Sequence, residues 1–148
     1  MALTGTYRRN LDEKLRVAVP KRLRDQFGDP DLKTLYVAPE TDRSLGLYSP
    51  AAFETLAERL GERSNNRTQI RNYLRLFYSR AEQADVDSQG RIRIPERLAE
   101  FAQLKHDIVL LGVHDHVELW DQAVWEEFLG RHGPEFDQMA LRAFESES

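Results

Sequence analysis

The chain has 148 residues, 41% of them hydrophobic and 31% charged, with no cysteine and a formal net charge of −4. That length and apolar content suit a compact fold with a real core, and the missing cysteines exclude disulfide frameworks, thiol catalysis and cysteine-based zinc sites. No apolar run approaches the ~20 residues of a membrane span and the N-terminus has no apolar signal core, so a soluble cytoplasmic protein with no membrane partner is expected.

The net charge conceals an asymmetry. Residues 1–80 carry fifteen Lys/Arg against ten Asp/Glu, and residues 81–148 carry six against fifteen, so the two parts stand at +5 and −9. Such a split suits an electropositive face joined to an acidic remainder.

In chain order, the first predicted elements are also repeated ones. The stretch DEKLRVAVPKRLRDQF from Asp12 returns as DSQGRIRIPERLAEFA from Asp87, 75 residues later. Each copy runs Asp-x-x-x-Arg (Asp12 and Arg16; Asp87 and Arg91). A β-branched alternation follows (Val17 and Val19; Ile92 and Ile94), then Pro20 or Pro95, then Arg22-Leu23 or Arg97-Leu98. The alternation predicts a half-buried strand, and the proline ends the ladder while presetting φ for a helix. The Asp and Arg ahead of the strand predict a tight turn in which the carboxylate accepts local amides and pairs with the guanidinium.

The similarity runs on through an apolar strand (Leu35-Tyr36-Val37; Ile108 to Leu111) and a polar turn (Asp42-Arg43-Ser44; His114-Asp115-His116). A further strand then ends in Leu47-Tyr48-Ser49 or Leu119-Trp120-Asp121. These last strands are 72 residues apart, so three residues of difference belong in the turns. Ser49 and Asp121 have the chemistry of helix N-caps, with Pro50 at a first helical position. Between the halves, Glu62 to Arg80 places Ile70, Tyr73, Leu74, Phe77 and Tyr78 at helical spacing, with Gly61 and Ser64-Asn65-Asn66 as the break before it. Trp120, Trp125 and Phe128 read as packing residues, and Phe136 to Ser148 as a frayed acidic tail.

A single four-strand copy has too few strands to protect its edges, so the copies are expected to complete each other's sheets. The resulting fold class is α+β: a pseudo-two-fold, interleaved β-barrel with peripheral helices. The expected organisation is a first module over 5–50, a helical connector over 51–78, a second module over 79–122, and a C-terminal helix with an acidic tail over 123–148.

Other chemistry is thin. His114-x-His116 offers two metal ligands with no evident third, Asp85 and Asp87 read as solvated, and no phosphate loop, nucleophile elbow or dinucleotide fingerprint occurs. The expectation is no enzyme, no cofactor, no metal and no small-molecule substrate.

The paired Asp-x-x-x-Arg elements, each followed by a β-branched strand and proline, resemble the MraZ family, and the likeness extends from Gly5-Thr6-Tyr7 to Leu119-Trp120-Asp121 and Trp125. The resemblance implies two AbrB-like swapped-hairpin modules in one chain. It further implies a sequence-specific DNA-binding transcriptional regulator, cytoplasmic and nucleoid-associated, that assembles as a ring-shaped homo-oligomer. Such a regulator binds short direct repeats in a promoter of the division and cell-wall gene cluster. The family's motif falls on Asp12 and Arg16 and on Asp87 and Arg91. Leu15 replaces the glycine that Gly90 supplies in the second copy, so the first turn is expected to differ in shape or to present Arg16 at another angle.

As a DNA reader the chain would use Arg16 and Arg91 on bases or phosphates, with Arg8, Arg9, Lys14, Lys21 and Arg22 on phosphates around the first turn. The first module, being the more basic, is expected to dominate. The alternative is a structural or protein-interaction oligomer in which the Asp/Arg pairs only stabilise turns.

Overall fold

The structure is a computed structural model that describes residues 2–63 and 66–145. Strands β1 (Thr6–Asn10), β2 (Arg16–Ala18), β3 (Thr34–Pro39) and β4 (Leu45–Tyr48) belong to the first repeat, with helix α1 (Lys21–Gln26) between β2 and β3. Helices α2 (Pro50–Arg63) and α3 (Arg67–Arg80) follow. The second repeat supplies β5 (Glu82–Asp85), β6 (Arg91–Arg93), α4 (Glu96–Phe101), β7 (Asp107–Val113), β8 (His116–Asp121) and α5 (Gln122–His132), and α6 (Phe136–Glu145) closes the chain.

Strands of the two repeats interleave. A six-stranded antiparallel sheet runs β1-β7-β8-β4-β3-β5, and a two-stranded ribbon pairs β2 with β6. Exchanging each strand for its counterpart (β1 with β5, β3 with β7, β4 with β8) turns the sheet order into its own reverse, which is a pseudo-two-fold axis read from topology alone. The length difference also resolves locally: five residues, 40–44, join β3 to β4, whereas two, 114–115, join β7 to β8.

The buried side chains explain the order. Leu35, Val37, Leu45, Leu47, Ile108, Leu110, Val117 and Leu119 meet Val17, Val19, Ile92 and Ile94 of the ribbon strands and their exits, together with Leu23 and Leu98 of the short helices, in one core. Burial of each such side chain stabilises the fold by roughly 1.5–3 kcal/mol. The sheet's other face is covered as well: Ala38 and Tyr48 pack under Phe53 of α2 and Phe77 of α3, and Val109, Leu111 and Trp120 pack under α5. Strand β4 is therefore buried at all four positions, whereas edge strand β1 alternates exposed and half-buried residues. Charged and polar edge residues blunt further pairing.

The predicted caps hold. Pro20 and Pro95 sit at the N-cap positions of α1 and α4 with near-identical backbone angles. The Ser49 hydroxyl accepts from the Ala52 amide at 3.2 Å, and Asp121 accepts from the Ala123 amide at 3.2 Å. Two expectations need correction. Gly61 does not break the chain, because α2 runs through it to Arg63; the cap of α3 is Asn66, whose side chain accepts from the Gln69 amide. Ser64 and Asn65 lie outside the described residues. Phe136 onward is helical and not frayed through Glu145, since Asp137 in the first turn and Arg142 in the last suit the helix dipole; Ser146 to Ser148 lie outside the described residues. No helix among the described residues is long and apolar enough to cross a membrane.

Candidate nucleic-acid interface

Each Asp-x-x-x-Arg element forms a turn closed by its own aspartate. In the first, Asp12 Oδ1 accepts from the amides of Lys14 (2.9 Å) and Arg16 (2.8 Å), while Oδ2 accepts from Arg16 Nε (2.8 Å). In the second, Asp87 Oδ1 accepts from Gln89 (2.9 Å) and Arg91 (2.9 Å), and Oδ2 from Arg91 Nε (2.9 Å). Backbone bonds match too, with Leu15 donating to Asp12 and Gly90 to Asp87, both at 2.9 Å. The hydrogen bond from the arginine amide, aided by the guanidinium and the second amide, holds each aspartate carboxyl below the usual range against the opposing effect of desolvation.

The two turns therefore have one shape, contrary to the expectation drawn from Leu15. Leu15 adopts φ of 62° and Gly90 φ of 78°. The left-handed conformation costs a leucine roughly 1–2 kcal/mol, and the three acceptor bonds of Asp12 together with packing of the Leu15 side chain against the core hold it there. Arg16 is presented as Arg91 is.

From the turns the chain enters the ribbon. The register sets Arg16 opposite Arg93, Val17 opposite Ile92 and Ala18 opposite Arg91. Val17 and Ile92 face the core, so by the two-residue period of a strand Arg16, Arg91 and Arg93 share the outward face. Cross-strand neighbours have Cβ atoms about 5 Å apart, and like charges placed so are destabilising. Asp12 and Asp87 each engage only Nε, leaving the guanidinium's other N–H donors for an external acceptor. Arg93 has no ion pair among the described residues.

The remaining predicted residues divide. Lys14 is exposed at the tip of the first turn, and Lys21 and Arg22 are exposed at the start of α1, with Lys21 paired to Asp25 at 3.1 Å. Arg8 is placed elsewhere: it pairs in register with Val109, whose side chain lies under α5, and its guanidinium reaches Glu126 of that helix at 4.0 Å. Arg9 takes the opposite side of β1 and lies 5.8 Å over the Tyr7 ring. From the sequence, Arg93 and Arg97 are the weaker offering of the second module, set against Glu82, Asp85 and Glu96, and Arg24 only closes the basic cluster that begins at Arg8. Arg24 bonds Val19 O at 3.0 Å and sits against Gly90 of the other repeat's turn. The alternation around Ile92 places Arg93 beside Arg91, whereas its position opposite Arg16 and the contact of Arg24 with Gly90 come only from the cross-repeat pairing.

Comparison with known proteins finds the same division of the chain into two repeats. The family model described as "MraZ protein, putative antitoxin-like" matches twice, over residues 2–76 and 77–146. The chain belongs to the MraZ family. Proteins named Transcriptional regulator MraZ are similar along nearly the whole chain. That of Finegoldia magna is 33% identical over 134 residues, covering 90% of this chain and 91% of its own. That of Mycoplasmoides gallisepticum is 33% identical, with 92% and 93% covered, and that of Caldanaerobacter subterraneus subsp. tengcongensis 32%, with 93% and 94% covered. The two family matches divide the chain between Leu76 and Phe77, inside α3, so each MraZ repeat carries one Asp/Arg turn and one ribbon strand.

Proposed function

We propose that the protein is a transcriptional regulator that binds double-stranded DNA through the outward face of the β2–β6 ribbon. The observation that carries this reading is Arg16 standing opposite Arg93 with Arg91 beside them: cationic side chains gathered on one side of a two-stranded ribbon, at an electrostatic cost that phosphate or guanine acceptors would relieve. A two-stranded ribbon fits the major groove, where arginine donates bidentately to guanine O6 and N7. Lys14, Lys21 and Arg22 would follow the phosphate backbone, and Arg8 and Arg9 would contribute at its margin. The similarity to proteins named Transcriptional regulator MraZ supports the same reading.

In this reading the interleaved strands form a swapped-hairpin barrel of two AbrB-like modules, over 5–50 and 79–122, joined by a helical connector. The protein acts in the cytoplasm at the nucleoid, on short direct repeats in a promoter of division and cell-wall genes. A ring-shaped homo-oligomer would place successive ribbons on successive repeats, which makes later contacts intramolecular and raises avidity without new contacts. A protein-interaction oligomer is the second reading. It is favoured by α6, where Phe136 is 71% and Phe144 72% exposed.

The test is fluorescence anisotropy with the DNA upstream of the protein's own gene, over a salt series, for wild type and Arg16→Ala. Steeply salt-dependent binding that exceeds binding to a scrambled duplex and is lost in the variant is the expected result. Weak binding indifferent to sequence and to the substitution would select the second reading.

A further inference from the structure

A second cluster lies on the sheet face opposite the main core, beneath α2 and α3. Glu40, in the β3–β4 connection, and His116 and Glu118 of β8 each bring a ligand-capable atom to within 4.8 Å of the others. Each is oriented by a further group. His116 Nδ1 lies 2.7 Å from Asp115 Oδ1, and Asp115 Oδ2 accepts from Arg59 of α2 at 2.7 Å. Trp120 Nε1 donates to Glu118 Oε1 at 3.0 Å, and the Tyr48 hydroxyl donates to Glu40 Oε1. The Tyr48 ring stacks on the imidazole with centroids 4.9 Å apart.

The atom left over is the informative one. His116 Nε2 is shielded from solvent and makes no hydrogen bond; Glu118 Oε2, at 3.5 Å, is within ion-pair range but outside hydrogen-bond geometry. Glycine makes room for the cluster, since a Cβ at Gly46 would stand 2.6 Å from Glu40 Oε1 and 2.6 Å from the Tyr48 ring. An imidazole fixed through Nδ1 by a carboxylate, with a second carboxylate beside Nε2 and a third within 4.8 Å of the cluster, is the usual construction around a bound metal ion.

We infer that Glu40, His116 and Glu118 form a divalent-cation site, with one nitrogen and two oxygen ligands and a fourth position left for solvent. That donor set suits a first-row ion such as Zn²⁺. Tetrahedral ligands about 2.1 Å from zinc stand roughly 3.4 Å apart, so the glutamates close inward on binding. The ion would clasp the β3–β4 connection of the first repeat to β8 of the second. It would do so once per chain, because the positions matching His116 and Glu118 at the 72-residue offset are Ser44 and Gly46.

The experiment is calorimetric titration of the full chain, freed of metal by chelation and dialysis, with Zn²⁺ and separately with Mg²⁺. Expected are one Zn²⁺ per chain, a higher melting temperature with Zn²⁺, and affinity at least tenfold weaker in His116→Gln and in Glu118→Gln. Arg59→Ala should give a smaller loss through Asp115. Far-UV circular dichroism checks that each variant is folded; should His116→Gln unfold, Glu40→Gln decides by the same tenfold criterion. Zn²⁺ binding no stronger than Mg²⁺ binding would overturn the inference. So would one-to-one binding that survives in the His116→Gln/Glu118→Gln variant, which places the ion at another histidine.

Discussion

The guanidinium of Arg24 lies against Gly90 so closely that a Cβ there would stand 2.7 Å from Arg24 Cζ. Arg24 belongs to the first repeat and Gly90 to the turn of the second. At the 75-residue offset the matching pair is Ala99 and Leu15, which line one cleft. Each contact holds one bulky residue, on the helix side in the first and on the turn side in the second, and both bulky residues come from the first repeat. This exchange gives a physical reason for the leucine in the first turn.

Replacing Gly90 with leucine combines a positive-φ cost of roughly 1–2 kcal/mol with collision against Arg24. Gly90→Leu should be destabilising by chemical denaturation, and adding Arg24→Ala should recover more than about 0.5 kcal/mol, a coupling that independent sites would not show. Additivity of the two changes would refute the contact.

DNA affinity should distinguish the ribbon face from the rest of the basic surface. Arg93→Ala is expected to weaken operator binding by about tenfold or more, on the scale of one lost bidentate contact. Arg8→Ala, on the α5 side of β1, should change it least. Arg22→Ala should weaken all sequences alike and lower the salt slope by about 1. Equal losses from Arg8 and Arg93 would argue for a diffuse electrostatic surface.

Acid should loosen the turns. Both aspartate carboxyls are held below their ordinary range by the arginine amide and its companions, so they bind protons less readily folded than unfolded. Their contribution is present above the ordinary aspartate range and is lost as pH falls through the depressed folded values. Wild type should therefore lose more thermal stability than Asp12→Asn between neutral pH and pH about 3. Parallel pH curves would count against this role.

The aromatic layer should bear much of the connector's stability. Phe77 is 1% exposed and packs against Phe53 and Tyr48, and Phe53 stacks on Tyr36 at 4.2 Å. Phe77→Ala should cost roughly 3–5 kcal/mol in denaturant melts, whereas Leu76→Ala, on the exposed side, should stay within about 0.5 kcal/mol.

What the sequence discloses is local. The repeated strand, its proline exit, the Ser49 and Asp121 caps and the three-residue difference between hairpins are all legible because each depends on residues a few positions apart. The arginine face depends on pairing residue 16 with residue 93, and the cation cluster on bringing residue 40 to residue 116. No periodicity records either. Leu15 misled because its conformational cost is read at one position, while the core packing that helps hold it comes from residues distant in the chain. Gly61 misled because, within a helix flanked by good formers, glycine costs only about 1 kcal/mol.

The interleaved sheet order also constrains biosynthesis. When the first repeat leaves the ribosome, β1, β2 and β4 have no β7, β6 or β8 to pair with. The nascent first half must therefore keep an unfinished sheet, with Leu45 and Leu47 uncovered, until translation has passed Asp121. Ribosome-bound chains halted before and after that point should differ sharply in protease resistance.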